Sequence, residues 1–240
     1  MDKAVAGQVG QGMDKQADKR ADKRQRDQIE ARILQAATRI FAETGYAGSS
    51  VAAIAGEAGI SKQNLLYYFP NKQVLYHRVL DQVLDQWLDR MDSLADSSQE
   101  PEQLLRQYIH AKLRFSREQP EASRVYAMEV ISGAPEYADA MREKILPRLQ
   151  KDIAAFERWI AEGKIAPVNA MHLLFAIWAM TQSYADFAKQ IQLISGHEVV
   201  HEGEFTEAEA LITELVLQRL QLLPRHSARA EPRLAAMAGR

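Results

Sequence analysis

Apolar residues recur every three to four positions along most of this 240-residue chain, which is the spacing of amphipathic α-helices. The pattern predicts helices at about residues 29–43, 71–94, 102–118, 122–131, 135–161, 168–193 and 206–222. Glycine and proline separate most of these segments, and Pro147 should kink or split the helix in which it lies. No segment shows a convincing strand pattern, so the expected fold class is all-α.

The segment 49–72, SSVAAIAGEAGISKQNLLYYFPNK, predicts two short helices joined by a tight turn. Ser50 is a suitable N-cap for the first helix, and Gly59 can take the left-handed conformation that the turn needs. Ser61 caps the second helix, and Pro70 ends it. With the helix that precedes them, these two helices form a three-helix, helix-turn-helix head that is typical of DNA-binding proteins.

The second of these helices carries the polar side chains. Lys62 and Gln63 open it, where side chains meet base edges in the major groove of double-stranded DNA. Lysine can bind the acceptors of guanine, and glutamine can pair with adenine. Asn64 is a third candidate, or it faces inward and fixes the turn.

Phosphate contacts are expected from residues on the border of the same surface. Tyr67, Tyr68 and Lys72 can donate hydrogen bonds to phosphate oxygens, as can the Ser50 hydroxyl at a helix N-terminus. Tyr67 alternatively packs against Phe69 and the first helix.

Composition narrows the class of protein. Cysteine is absent, which excludes disulfides, thiol catalysis and cysteine metal sites. The longest apolar run, 173–180, is far shorter than the about 20 residues of a membrane-spanning helix. Because the N-terminus is polar and charged, no signal peptide is indicated. A cytoplasmic protein with no membrane partner is therefore expected.

Charge and composition also suggest the domain organisation. The first 72 residues carry 11 Lys and Arg against 8 Asp and Glu, whereas the whole chain has a net charge of -2. A DNA-binding domain is expected over 28–72 and a ligand-binding and dimerisation domain over 73–223. Residues 1–27 lack large apolar side chains, which predicts a disordered arm, and 224–240 is expected to be a flexible tail. The arm alternatively touches DNA phosphates through Lys19, Arg20, Lys23, Arg24 and Arg26.

The helices at 168–193 and 206–222 are richly apolar, so they form either plain core or a subunit interface. A helix-turn-helix protein usually reads a palindromic operator as a two-fold dimer, with recognition helices about 34 Å apart. We therefore expect these helices to contribute in part to a homodimeric four-helix bundle.

The sequence His197-Glu198-Val199-Val200-His201 matches the HExxH pattern of zinc proteases. That chemistry needs both imidazoles on one helix and a third ligand. Paired valines and flanking glycines disfavour such a helix, so a solvated loop is expected and a zinc hydrolase is only a remote alternative. No other catalytic set was identified, and neither enzyme activity, a metal nor a cofactor is expected.

The segment IFAETGYAGSSVAAIAGEAGISKQNLLYYFPNKQVLYHRVL resembles the N-terminal head of the TetR family of bacterial regulators. The resemblance implies a homodimer that binds operator DNA through the head and a small-molecule inducer through a helical body. It also implies that the inducer moves the long fourth helix and so changes the spacing of the heads. Many members have Tyr-Tyr-His-Phe where this chain has Leu66-Tyr67-Tyr68-Phe69, so Leu66 replaces a tyrosine.

A narrower resemblance, carried by VLDQWL, EQPEASRVYAMEVISGAP and FAIWAMTQSYADFA, is to the pyrimidine-utilisation regulators within that family. It implies that Trp87, Trp178 and Gln182 line the inducer pocket, where an indole can stack on a pyrimidine and an amide can match its edge. Both tryptophans are alternatively plain core residues, and Gln182 alternatively lies in the dimer bundle. Further candidates for inducer contacts are Tyr184, Asp186, Met128 and Glu129.

The predicted function is a transcriptional regulator, with repression as the expected mode, that releases its operator on binding uracil, thymine or a related compound. Another inducer, such as a drug or an acyl compound, is the main alternative.

Overall fold

The computed structural model describes residues 4–90, 94 and 99–223, and over this part of the chain the secondary structure is helical with no strand. The predicted all-α fold class is therefore confirmed. The helices are α1 (Ala4–Gly48), α2 (Val51–Glu57), α3 (Lys62–Tyr68), α4 (Lys72–Arg90), α5 (Pro101–Glu118), α6 (Pro120–Ile131), α7 (Ala138–Ala161), α8 (Ala170–Asp186), α9 (Ala188–Ser195) and α10 (Glu202–Arg219). Among the described residues, no helix has both the length and the apolarity needed to cross a bilayer.

The chain divides into two compact units. Among the described residues, the first consists of 4–89 and 118–142, and the second of those within 90–117 and 143–223. In the first unit α1 packs against α2 and α6, and α2 packs against α3. Its core is apolar, with Ile33, Phe41, Ile54, Leu65 and Leu80 fully buried.

The second unit holds α5, α8, α9 and α10 together with most of α7. In this unit α8 packs against α9 and α10. Leu105, Ile109, Phe156, Ile177 and Leu217 are fully buried and form its apolar centre.

The local signals of the helix-turn-helix are confirmed. The Ser50 hydroxyl accepts a hydrogen bond from the Ala53 backbone N–H at 3.1 Å, and the Ser61 hydroxyl accepts one from the Asn64 N–H at 3.1 Å. Gly59 has a φ of 65°, in the left-handed region that the tight turn requires. Two N-caps and one glycine thus set the bounds of α2 and α3.

The predicted disorder over 1–27 is wrong for residues 4–27, which are helical and continuous with the head; residues 1–3 lie outside the described part. Alanine, lysine, arginine and glutamine dominate this segment, and all four are good helix formers. Extending a helix that the head has already nucleated costs little, even where no core can form. The predicted tail, from residue 224 onward, also lies outside the described part.

The single helix predicted over 168–193 is two helices, α8 and α9, because Phe187 leaves the helical region with φ −112° and ψ 24°. No glycine or proline marks this break. The hydroxyls of Thr181 and Ser183 instead donate to the carbonyls of Ile177 and Met180, a type of bond that bends helices.

Pro147 was predicted to kink or split its helix, and the split does not occur, since α7 continues through this residue. Pro147 and Glu143, whose carbonyl loses its usual donor, are both exposed. Water can therefore satisfy that carbonyl.

Candidate DNA-binding and effector sites

The outer face of α3 is the candidate DNA-reading surface. Lys62, Gln63 and Asn64 are exposed at its N-terminal end, while Leu65 and Phe69 are buried and hold the helix against the core of the first unit. The exposure of Asn64 rules out the alternative in which it faces inward. The structure therefore presents three polar side chains together at the end of the helix that enters a major groove.

Two tyrosines follow on the same helix. Tyr67 is 72% exposed, which contradicts the alternative that it packs against Phe69. Its ring meets that of Tyr68 edge-on at 5.4 Å, and the Arg26 guanidinium lies 6.0 Å from the Tyr68 ring. Residue 26 of the N-terminal segment thus lies beside the recognition helix.

The two remaining predicted phosphate contacts also have structural partners. The Lys72 ammonium donates to the carbonyls of Tyr46 at 2.7 Å and Ser49 at 3.2 Å, and it lies 4.3 Å from the centre of the Tyr46 ring. It therefore fastens the end of α1 to the start of α2. Ser50 acts as the α2 N-cap described above, which leaves its hydroxyl proton available to a phosphate.

Among the candidate effector residues, Trp87, Met128 and Glu129 belong to the first unit. Trp87 is buried, with its ring 6.0 Å from that of Tyr126. The Met128 methyl group would lie 3.1 Å from a Cβ placed on Gly45. These contacts make Trp87 and Met128 part of the packing of the first unit.

Glu129 is buried and has a partner for each of its carboxylate oxygens. Oε2 accepts a hydrogen bond from the Tyr76 hydroxyl at 2.9 Å, and Oε1 accepts one from the Glu136 backbone N–H at 2.8 Å. The Tyr76 ring packs against those of Phe41 and Tyr46 at 4.8 and 4.7 Å. Burial, together with the Glu129 hydrogen bond, raises the pKa of Tyr76 well above its usual value. This cluster joins α6 and α4 to α1.

The other candidate effector residues belong to the second unit. Trp178, Gln182 and Asp186 follow one another at four-residue spacing on α8, which places them on one helical face, and each is half-buried. Tyr184 instead lies 5.7 Å from Phe205 of α10. Trp178, Gln182 and Asp186 thus share one face of α8, whereas Tyr184 lies against α10.

The helix α5 meets Trp178 with polar side chains that the sequence interpretation missed. The Trp178 indole N–H donates to the Tyr108 hydroxyl at 2.6 Å, and the Lys112 ammonium lies 5.6 Å from the Trp178 ring centre. Lys112 is only 1% exposed. Burial lowers its pKa well below the usual range, and the nearby Asp186 carboxylate offsets part of this shift. The sequence did contain a signal for this burial, because Lys112 falls within the apolar stripe of the same helix that includes Ile109.

A separate groove of about 330 Å³ lies within the first unit, along α1, α4 and the N-terminal end of α6. Polar side chains line much of it, including Gln35, Gln82, Gln86 and Gln119. None of the predicted effector residues lines this groove.

The HExxH match lies outside any helix, in the segment between α9 and α10. The rings of His197 and His201 are 4.4 Å apart and nearly perpendicular. Within the described ranges, no group of three or more His, Cys, Asp or Glu side chains could hold a metal ion. The geometry that the zinc-protease pattern requires is therefore missing.

An exposed recognition helix, in a chain that is helical without strands over its described residues, is typical of helix-turn-helix regulators of transcription. Residues 33–79 match the family described as bacterial regulatory proteins, tetR family, and residues 80–223 match the C-terminal region of YcdC-like proteins. The chain is also 36% identical over 189 residues to the HTH-type transcriptional regulator RutR of Escherichia coli strain K12, covering 79% of this chain and 89% of RutR. The chain belongs to the tetR family of bacterial regulatory proteins.

Solved structures show the same fold. The TetR family regulator PfmR from Thermus thermophilus superposes with a TM-score of 0.63 at 19% identity, covering 81% of this chain and 97% of that chain. AibR, solved with isovaleryl coenzyme A and operator DNA, superposes with a TM-score of 0.65 at 17% identity, covering 78% and 97%. The predicted family is confirmed, and the protein is a DNA-binding transcriptional regulator and not an enzyme.

Proposed function

We propose that this protein is a homodimeric repressor that binds a palindromic operator and releases it when a pyrimidine such as uracil or thymine binds. The observation that carries the effector assignment is the α8 face of Trp178, Gln182 and Asp186, which combines an aromatic surface with an amide and a carboxylate. A pyrimidine offers a flat ring for the indole, and adjacent N–H and C=O groups for the polar side chains. The place of action is the cytoplasm.

On the DNA side, Lys62, Gln63 and Asn64 read base edges because they are exposed at the N-terminal end of α3. Phosphates are held by Ser50, Tyr67, Tyr68 and Lys72. The basic residues of the N-terminal segment with described side chains, Arg20, Lys23, Arg24 and Arg26, are exposed and add further phosphate contacts; the Lys19 side chain lies outside the described part.

Dimerisation uses apolar side chains that α8 and α10 leave exposed in the second unit. Met171 and Phe175 are one turn apart on α8, and Leu211 and Leu215 are one turn apart on α10; all four are more than one-third exposed. Burying such stripes against a second copy is favourable by about 25 cal/mol per Å² of apolar surface. A two-fold dimer then places two α3 helices on successive turns of one operator.

The division of the DNA contacts into base contacts and phosphate contacts predicts two different effects of substitution. Lys62→Ala and Gln63→Ala should lose preference for the operator over unrelated DNA, because base contacts carry the sequence information. Lys72→Ala should weaken binding to all DNA and lower the slope of affinity against salt by about 1. Fluorescence anisotropy with operator and scrambled duplexes over a series of salt concentrations measures both effects. Equal loss of specificity in all three variants would contradict the sorting.

The proposed function is tested first by recovering genomic fragments bound by the purified protein, with and without uracil. Fragments lost in the presence of uracil define the operator, which then serves in anisotropy titrations. We expect uracil to lower operator affinity, and operator DNA to lower uracil affinity by the same factor, because the coupling is reciprocal. Gln182→Ala should respond less, with Gln192→Ala, on α9, as the matched control. Release by an acyl compound or a drug, with no response to uracil or thymine, would overturn the pyrimidine assignment.

A further inference from the structure

The groove along α1, α4 and the N-terminal end of α6 has the size of a small-molecule site. Its volume is about 330 Å³, and pockets that bind small molecules usually span about 300–1,000 Å³. Four buried apolar side chains contribute to its lining: Leu34 of α1, Val79 and Val83 of α4, and Ala122 of α6. Every lining residue belongs to the first unit, so the packing of that unit alone sets the shape of the groove.

Carboxamide side chains reach the same groove from three directions. Gln35 projects from α1, Gln82 and Gln86 project from α4, and Gln119 precedes α6 as its N-cap. Gln82 and Gln86 are one helical turn apart, so they share a face of α4 with Val79. All four glutamines are exposed or half-buried, so water occupies their hydrogen-bonding groups until a ligand displaces it.

The charged side chains of the lining disfavour an anionic ligand. The Arg39 guanidinium donates to the Glu57 carboxylate, so this cation is already paired. Glu118 and Glu121 line the end of the groove near the start of α6, and their carboxylates repel an anion. An ammonium ligand offers donors only, so it leaves the carbonyl-matching half of the pattern filled and the N–H groups of the carboxamides unmatched. The groove therefore favours a neutral ligand that carries both donors and acceptors.

We propose that this groove is a second ligand site of the protein, and that it takes a small neutral cyclic amide or ureide. A carboxamide has an acceptor beside a donor, so a ligand edge with N–H and C=O on the same side pairs with it through two hydrogen bonds. A small ring holds an amide in that cis arrangement, whereas an open-chain secondary amide adopts the trans form. The ring itself packs against the leucine and valine side chains of the lining.

The site is separate from the proposed effector face on α8, and the inference does not depend on pyrimidine binding there. A ligand in the groove contacts α1, α4 and α6 together, in the unit that also holds the recognition helix α3. Any difference between its affinities for the free and the operator-bound protein appears as an equal change in operator affinity. The groove is thus a second input through which a small molecule sets operator occupancy.

The test uses three neutral probes with the whole chain. Hydantoin is a cyclic ureide and glycine anhydride is a cyclic diamide, and both present cis N–H and C=O groups. Sarcosine anhydride is the matched control, because it is glycine anhydride with a methyl group on each nitrogen and no N–H. We expect isothermal titration to give dissociation constants of about 1 mM or below for the first two probes. Sarcosine anhydride should bind at least about tenfold more weakly.

Variants then locate the binding. Gln82→Met and Gln86→Met each remove one carboxamide from the groove and keep a side chain of similar length and helix propensity. Gln103→Met, at an exposed position of α5 outside the groove, is the matched control. Each groove variant should bind the two positive probes about 5- to 30-fold more weakly, as expected for the loss of one or two neutral hydrogen bonds. The control should bind as the wild type does, and circular dichroism establishes that all variants are folded.

A further readout needs no variant and is not affected by a structural role of the glutamines. Methyl NMR signals of Val79 and Val83 should shift when hydantoin or glycine anhydride is titrated into the wild type, because these side chains line the groove. Shifts confined to other methyl groups would place the ligand elsewhere and overturn the site. This measurement decides the matter even where a variant fails to fold.

The remaining outcomes are equally distinct. Binding of neither positive probe by the wild type, or unchanged affinity in both folded groove variants, overturns the site. Equal binding of glycine anhydride and sarcosine anhydride overturns the assignment to cyclic amides. None of these results bears on the proposed function, which is tested by release of the operator with uracil.

Discussion

Each unit contains one buried polar cluster, and the two clusters differ in the groups that surround the buried ionisable side chain. In the first unit the Glu129 carboxylate receives one hydrogen bond from Tyr76 and another from a backbone N–H. In the second unit the Lys112 ammonium lies near an indole ring and a half-buried carboxylate, and burial displaces its pKa strongly. A cluster like the first holds helices in place, whereas burial of an ammonium group as in the second costs stability.

The largest expected effect is on the first cluster. Glu129→Ala leaves the buried Tyr76 hydroxyl and the Glu136 N–H without their acceptor, so the free energy of unfolding should fall by about 2–4 kcal/mol. Urea denaturation followed by circular dichroism measures this change. Glu43→Ala, at an exposed position of α1, is the control and should lie within about 0.5 kcal/mol of the wild type. Equal stability of Glu129→Ala and the control would break the comparison.

The second cluster should respond in the opposite direction. Lys112→Met should raise the free energy of unfolding at pH 7 by about 1–2 kcal/mol, because an apolar side chain replaces a buried amine and Asp186 keeps contact with water. A loss of stability would instead show that Lys112 and Asp186 form a net stabilising pair. The same urea titrations decide between these results.

The pH dependence sharpens that prediction. The pKa of Lys112 is lower in the folded chain, so the unfolded chain binds more protons between the folded value and the usual value of about 10.4. Lys112 therefore makes the free energy of unfolding of the wild type increase with rising pH, and Lys112→Met lacks this increase. The advantage of the variant should therefore be larger at neutral pH than near pH 10. A gap that is constant with pH would contradict the lowered pKa.

The smallest effect is expected from removing a single hydroxyl. Tyr76→Phe keeps the aromatic contacts with Phe41 and Tyr46 and removes only the donor to Glu129, so it should cost about 1 kcal/mol. A double-mutant cycle with Glu129→Ala isolates the energy of this bond. Additive losses in the cycle would show that the hydroxyl and the carboxylate do not stabilise each other.

The helix-turn-helix could be predicted from the sequence because its signals are local. Ser50, Gly59 and Ser61 act on backbone groups within three or four residues of themselves. Both partners of each interaction are therefore visible in one short stretch of sequence. The break at Phe187 was missed because serine and threonine hydroxyls bend helices only in some contexts. The helix over 4–27 was not predicted because the lack of large apolar residues indicates only that this segment cannot form a core of its own. Extending an existing helix requires only residues with sufficient helix propensity.

The candidate effector site could be predicted only in part. The spacing of Trp178, Gln182 and Asp186 follows from helical periodicity alone. The role of Glu129 depends on Tyr76, which is 53 residues away in the sequence, and the position of Lys112 depends on Trp178 of another helix. Such partners are set by tertiary packing, so a polar residue on an apolar stripe does not reveal which group it meets.

The bend of α1 at Gly45 has a genetic consequence. Its φ of 70° and ψ of 173° lie in a region that only glycine occupies readily, and a Cβ there would meet the Met128 methyl at 3.1 Å. Every missense change of this codon adds a side chain, so every such allele strains the backbone and presses on α6 at once. Under the proposed function as a repressor, alleles with a substitution here should arise in screens for constitutive expression of the target genes, and second-site revertants should include smaller residues at position 128.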